Sequence, residues 1–128
     1  VAVMDLGLRG RSIQSQHIEY GLTMSLSGGY FLRLDSPFTL MLDGETTDLS
    51  PQTDPPERLV AIEQLIGRVI TESVVDDSGV LTIAFDNGAV ITCLPDDHYE
   101  AWMMTAPKGW TVAGTPGGEV GVWISEEP

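Results

Sequence analysis

Two stretches of the chain share one alternation of apolar and polar residues. Residues 22–34 read LTMSLSGGYFLRL and residues 81–93 read LTIAFDNGAVITC. Apolar side chains recur at alternate positions on each side of a glycine-bearing break, which is the period of half-buried strands joined by a turn. The offset between the stretches, taken from Gly29 and Gly88, is 88 − 29 = 59. Upstream, LRGRSI at 8–13 matches LIGRVI at 65–70 with an offset of 67 − 10 = 57. The pattern predicts two copies of one unit, each with a first strand after Gly-Arg, at about 11–19 and 68–75, followed by a hairpin.

The hairpin register follows from which faces can be buried. A two-residue loop at Gly28–Gly29 would set Met24 opposite Arg33. A three-residue loop, 27–29, sets Met24 opposite Leu32 and Leu26 opposite Tyr30, and in the second copy Ile83 opposite Ile91 and Leu81 opposite Cys93. A slip of one residue turns every side chain to the other face, so burial selects the three-residue loop. The expected turn is type I, closed by a glycine at positive φ, Gly29 or Gly88.

Between the copies, DGETTDLSPQTDPP at 43–56 reads as a polar connector. A short helix is expected at about 54–65, with Asp54 as cap, Pro55 in the first helical position and Glu57 completing a capping box. Beyond the second hairpin, a strand carrying Tyr99 and Trp102 is expected at 98–105, then a last hairpin of 110–113 with 120–124 around Pro116–Gly117–Gly118. The expected fold is mainly β (α+β), a meandering antiparallel sheet from two repeated three-strand units with one short helix between them. The organisation is a single domain over 1–128, with repeats at about 8–42 and 65–105, connector and helix at 43–65, and a C-terminal hairpin at 106–125.

Charge changes the functional picture. The chain has 128 residues and a net charge of −13, from 19 acids against 6 bases. Such a surface repels nucleic-acid backbones and anionic membranes, and favours a protein partner with a basic surface. Cys93 is the only cysteine and lies in an apolar run, so the expectation is a buried thiol and a reducing cytoplasm. No stretch is long enough to span a membrane, and the first residues lack the pattern of a signal peptide.

Candidate chemistry is sparse. Asp96, Asp97, His98 and Glu100 form the densest group of metal-ligand types, yet neighbours on a strand point to opposite faces, so a polar turn after Pro95 is the favoured reading. Asp76–Asp77–Ser78–Gly79 lacks the spaced acids of a calcium loop and reads as a turn. His17 and His98 are the only histidines, and no Gly-x-Ser-x-Gly elbow accompanies them. The double glycines do not open helices, so they are hairpin turns and not phosphate loops. Trp102, Trp110 and Trp123 cover one end of the sheet; Trp110, beside a Lys-Gly turn, is the best interface anchor of the three.

The C-terminal residues carry a resemblance. Tyr99–Glu100–Ala101–Trp102, Gly109, Pro116–Gly117–Gly118–Glu119 and Trp123, after a hairpin Leu81–Gly88, resemble a bacterial family common in actinobacteria and known as a domain of unknown function. The resemblance implies a shared fold over most of the chain and a bacterial source, and carries over no catalytic residue. The layout also resembles small immunity proteins that neutralise secreted toxins.

Together these readings give a non-enzymatic protein-binding domain, of the kind that masks a basic toxin surface, with no cofactor and no metal. The expected contacts are Asp43, Glu45, Asp48, Asp76, Asp77, Asp96, Asp97 and Trp110. The alternatives are a self-associating structural module, which would be a homodimer, and a small-ligand or metal-binding domain.

Overall fold

A computed structural model describes residues 3–124. It is mainly β, with twelve antiparallel strands in two six-stranded sheets and a short helical segment between strand groups. One sheet runs β1 (Val3–Asp5), β7 (Ile70–Asp76), β8 (Leu81–Phe85), β9 (Val90–Cys93), β5 (Phe38–Leu42), β6 (Glu45–Leu49). The other runs β12 (Val120–Ile124), β11 (Trp110–Gly114), β10 (Trp102–Thr105), β4 (Tyr30–Leu34), β3 (Leu22–Leu26), β2 (Ile13–Ile18). The single predicted meander is therefore divided: β2–β4 and β7–β9 each stay in one sheet, and the strand after each triplet crosses to the other. Thus β5 lies against β9, and β10 against β4.

Both hairpins take the three-residue loop. Met24 pairs with Leu32 and Leu26 with Tyr30, while Ile83 pairs with Ile91 and Leu81 with Cys93. Met24, Leu32, Ile83 and Ile91 are fully buried in one core cluster fed by both sheets. The two turns differ in detail. In the second, only Gly88 has positive φ, +86°. In the first, Gly28 joins Gly29 in that region, at +84° and +85°, so the expected type I turn does not form there.

The hydrogen bonds repeat with the sequence. Ser12 bridges Val69, its own counterpart at 69 − 12 = 57. Gly10 N–H donates to the Ile70 carbonyl as Gly67 donates to Ile13, both at 2.8 Å. Ile13 N–H donates to Arg68 O, and Ile70 N–H to Arg11 O. These bonds relate the halves by an approximate two-fold axis through the Ser12–Val69 bridge. A bulge follows Ile13 in β2 and Ile70 in β7, at matching places. The change of offset from 57 to 59 falls in the next turn, between the pairs Ile18–Leu22 and Val75–Leu81, which is two residues longer in the second copy.

Three further expectations change. The connector at 43–56 holds a strand, β6, reached from β5 by a tight Asp43–Gly44 turn with both residues at positive φ, +54° and +80°. Asp-Gly suits such a turn because short polar side chains and glycine tolerate that region. The helical segment is two 3₁₀ turns, Pro56–Arg58 and Val60–Leu65, capped by no side chain. Asp54 instead accepts the Ser50 N–H at 2.7 Å and meets Arg58 at 3.5 Å, so its carboxylate closes the preceding loop. The strand expected at 98–105 begins only at Trp102, leaving Tyr99 in the loop before it.

Candidate functional site

The registers sort the loops into two ends. Cys93 faces Leu81 on one side and Phe38 on the other, so the 76–80 turn, the start of β5 and the segment after β9 share an end. In the second sheet, Leu34 faces both Leu22 and Trp102, and Trp102 faces Gly114, which brings the 19–21 and 115–119 turns to one end as well. The two sets meet. Gly117 N–H donates to Asp96 O at 2.9 Å. Gly79 and Gly118 pack backbone to backbone, so a Cβ on Gly79 would stand 2.6 Å from Gly118 Cα.

Asp76, Asp77, Asp96 and Asp97, predicted as contacts, therefore lie at one end, with Asp35 and Glu119 beside them. Arg9, Arg11, Arg68 and Lys108 belong to the opposite end, where Ile13 faces Leu26 and Ile70 faces Phe85. The first end is acidic and the opposite end is mixed, since Asp86, beside Val69, lies there with the four bases. Asp43 and Glu45 sit at the opposite end too, and Asp48 lies along the β6 edge. Trp110 is at that far end and 37% exposed, so the structure does not join it to the aspartates. Trp102 is fully buried in the core.

The acidic end holds a cleft of about 450 Å³ that sequence reasoning missed. It is lined by Tyr20, Arg33, Asp35, Ser36, Pro37, Gln52, Asp96 and Tyr99. Tyr20 and Tyr99 are 79% and 73% exposed. Each lies in a bend between strands, where no partner strand covers it. In the same lining, Arg33 Nε donates to Asp35 Oδ1 at 2.7 Å, and Gln52 Nε2 donates to the Asp35 carbonyl. The signal available in the sequence was position alone: a tyrosine beside Gly21 and another after Asp96–Asp97–His98.

The aspartates have local duties. Asp96 Oδ1 accepts the N–H groups of His98 and Tyr99 at 2.7 and 3.0 Å, which orients Tyr99 at the cleft. Asp76 Oδ1 accepts from the Ser78 hydroxyl and from the N–H groups of Ser78 and Val80. Those bonds, the hydroxyl first, hold its pKa below the ordinary 3.8. Both sites are polar turns, as expected. Among the described residues, no group of three or more His, Cys, Asp or Glu side chains is placed to hold a metal ion.

Cys93 is buried, and burial pushes its thiol pKa up to about 12, with the Asp35 charge adding to the rise. Such a thiol holds little thiolate at neutral pH, which suits a packed structural residue. No helix among the described residues is long and apolar enough to cross a membrane. No curated protein and no solved structure matches the chain. A family model does match, over residues 4–124, and the chain belongs to that family, described as a family of unknown function (DUF6188).

Proposed function

We propose that this is a non-enzymatic protein-binding domain whose acidic end receives a basic surface of another protein. The observation that carries the reading is the pair Tyr20 and Tyr99, both largely exposed in the lining of one cleft that also holds Asp35, Asp96 and Arg33. Exposed tyrosine gives large contact area at small entropic cost, and is enriched where proteins meet. The surrounding acids would speed encounter with a cationic partner. Asp76, Asp77, Asp96 and Asp97 supply that field; Asp43, Glu45, Asp48 and Trp110 lie elsewhere and drop out of this interface. In its specific form the domain is a cytoplasmic bacterial immunity protein that masks the cationic site of a toxin.

Capture from a native-host lysate tests the reading. Wild-type bait should retain a basic protein that elutes as salt is raised, and a Y20A/Y99A bait should lose it. A partner kept equally by both baits, or one indifferent to salt, would refute the proposal.

A further inference from the structure

We infer that β12 is a docking edge for a second copy of this chain. The two sheets have four outer strands, and three of them are guarded. β1 spans three residues and ends in Asp5; β6 carries Glu45 and Asp48. β2 lies alongside the Val60–Leu65 turn, with Gln16 Nε2 donating to the Ile62 carbonyl at 2.9 Å. β12, Val-Gly-Val-Trp-Ile, has no charge and no proline, and nothing among the described residues pairs its outer side. Proteins ordinarily blunt such an edge, because its free N–H and C=O groups invite another strand.

Thr115 N–H donates to Glu119 O at 2.8 Å, so the opposed residues 115 and 119 form a hydrogen-bonded pair. Bonded and non-bonded pairs alternate along an antiparallel ladder. Gly121 and Trp123, opposite Ala113 and Thr111, therefore turn their backbone groups toward β11. Val120, Val122 and Ile124 turn theirs outward. Two such edges are self-complementary about an axis at Val122. Val122 then bonds Val122 of the second copy, Val120 bonds Ile124, and Gly121 faces Trp123.

Two further features favour a second copy. Trp123 lies across Gly121 of its own strand, where a Cβ would stand 2.6 Å from the ring, and is 49% exposed, so it has surface left to cover the facing glycine of the second copy. Antiparallel pairing also inverts one molecule against the other. The end bearing Glu119 then stands beside the end bearing Lys108, which offsets part of the repulsion that the overall charge would give.

Hydrogen exchange and sedimentation, run on the full chain from low micromolar to high concentration, test this. The amides of Val120 and Val122 should gain protection as concentration rises, while the mass moves from one chain to two. Val122→Pro removes an outward donor without touching the bonds to β11, which an outer strand accepts. It should stay folded and monomeric. Val122→Lys places like charges across the axis and should act the same way, and it serves as the test should the proline variant not fold. A wild-type monomer with unprotected edge amides at every concentration overturns the inference. So does a dimer that survives Val122→Lys with its edge amides unprotected.

Discussion

The two sheets share five strands and differ in the sixth. Matching β7, β8, β9, β5 and β6 to β2, β3, β4, β10 and β11 leaves β1 without a counterpart in one sheet and β12 without a counterpart in the other. The difference falls on the edges. In one sheet the strand β6 is itself the border and carries its own charges. In the other, its counterpart β11 is covered by an uncharged strand. A duplicated core thus fixes one hydrophobic layer, and the parts added outside the duplication decide what each border can meet.

The largest test of the duplication is in that layer. Met24 and Ile83 hold corresponding places, each opposite a buried partner. Met24→Ala and Ile83→Ala should each cost about 2–5 kcal/mol, as truncation of a closely packed apolar residue does. Denaturant unfolding measures both. If one costs less than half the other, the two hairpins do not share the core equally.

A second comparison concerns how the crossing strands fill the same space. Phe38 faces Leu49, and both are buried; the matching pair is Trp102 facing Gly114. One pair is two medium side chains, the other one large ring and none. A Cβ on Gly114 would stand 2.8 Å from Trp102 Cε2, and the buried indole N–H has no hydrogen-bond partner. Gly114→Ala should therefore destabilise by about 1–3 kcal/mol through overpacking. Trp102→Phe in the Gly114→Ala background should restore part of that loss, since it removes both the clash and an unsatisfied donor. A double-mutant cycle in thermal melts reads the coupling; strict additivity would show the ring and the glycine are independent.

These pairs also show what the sequence could reveal. The hairpin register was legible because only one slip buries Met24 with Leu32 and Ile83 with Ile91. The last hairpin was legible from Pro116–Gly117–Gly118 between apolar runs. β6 was hidden because a border strand, Glu45–Thr46–Thr47–Asp48, is solvated and so reads as a linker; Asp43–Gly44 was the overlooked cue. The capping reading of Asp54 failed because its carboxylate had a nearer use, closing the loop at Ser50. The acidic end was half legible. Composition announced the charge, but the cleft needs Asp35, Gln52 and the two tyrosines brought together by strands that cross between sheets, and no local pattern encodes a crossing.

The two hairpin turns offer a finer contrast. Gly28 has φ +84° and a Cβ there would stand 3.0 Å from Arg11 Cζ, whose guanidinium lies 4.5 Å from the Tyr30 ring centre. Asn87 occupies the matching place without positive φ, and its Oδ1 accepts the Ala89 N–H at 3.0 Å. Gly28→Ala should cost roughly 1–2 kcal/mol for the left-handed backbone alone. Asn87→Ala should cost about 0.5–1.5 kcal/mol, the usual worth of one hydrogen bond. Chemical unfolding of the two variants ranks them; a cheaper Gly28→Ala would mean the first turn relaxes to the geometry of the second.

The smallest expected effect separates the two turns that carry the change of offset. The longer one, 76–80, is organised by the Asp76 carboxylate, which the shorter 19–21 turn lacks. Because the folded pKa of Asp76 lies below the ordinary 3.8, its contribution is complete above that value. It is lost as pH falls through the lowered folded pKa, when the protonated carboxyl ceases to accept three bonds at once. Asp76 is only half-buried and its three bonds stay within its own turn, so the loss should be local. The amides of Ser78 and Val80 should exchange faster, relative to their intrinsic rates, as the carboxyl protonates, while the Glu19 amide, bonded to the Gly21 carbonyl, should keep its protection factor. Asp76→Asn should show the faster exchange at neutral pH and no further change on acidification. Equal acid sensitivity in both turns would place the cause in the global fold and not in this carboxylate.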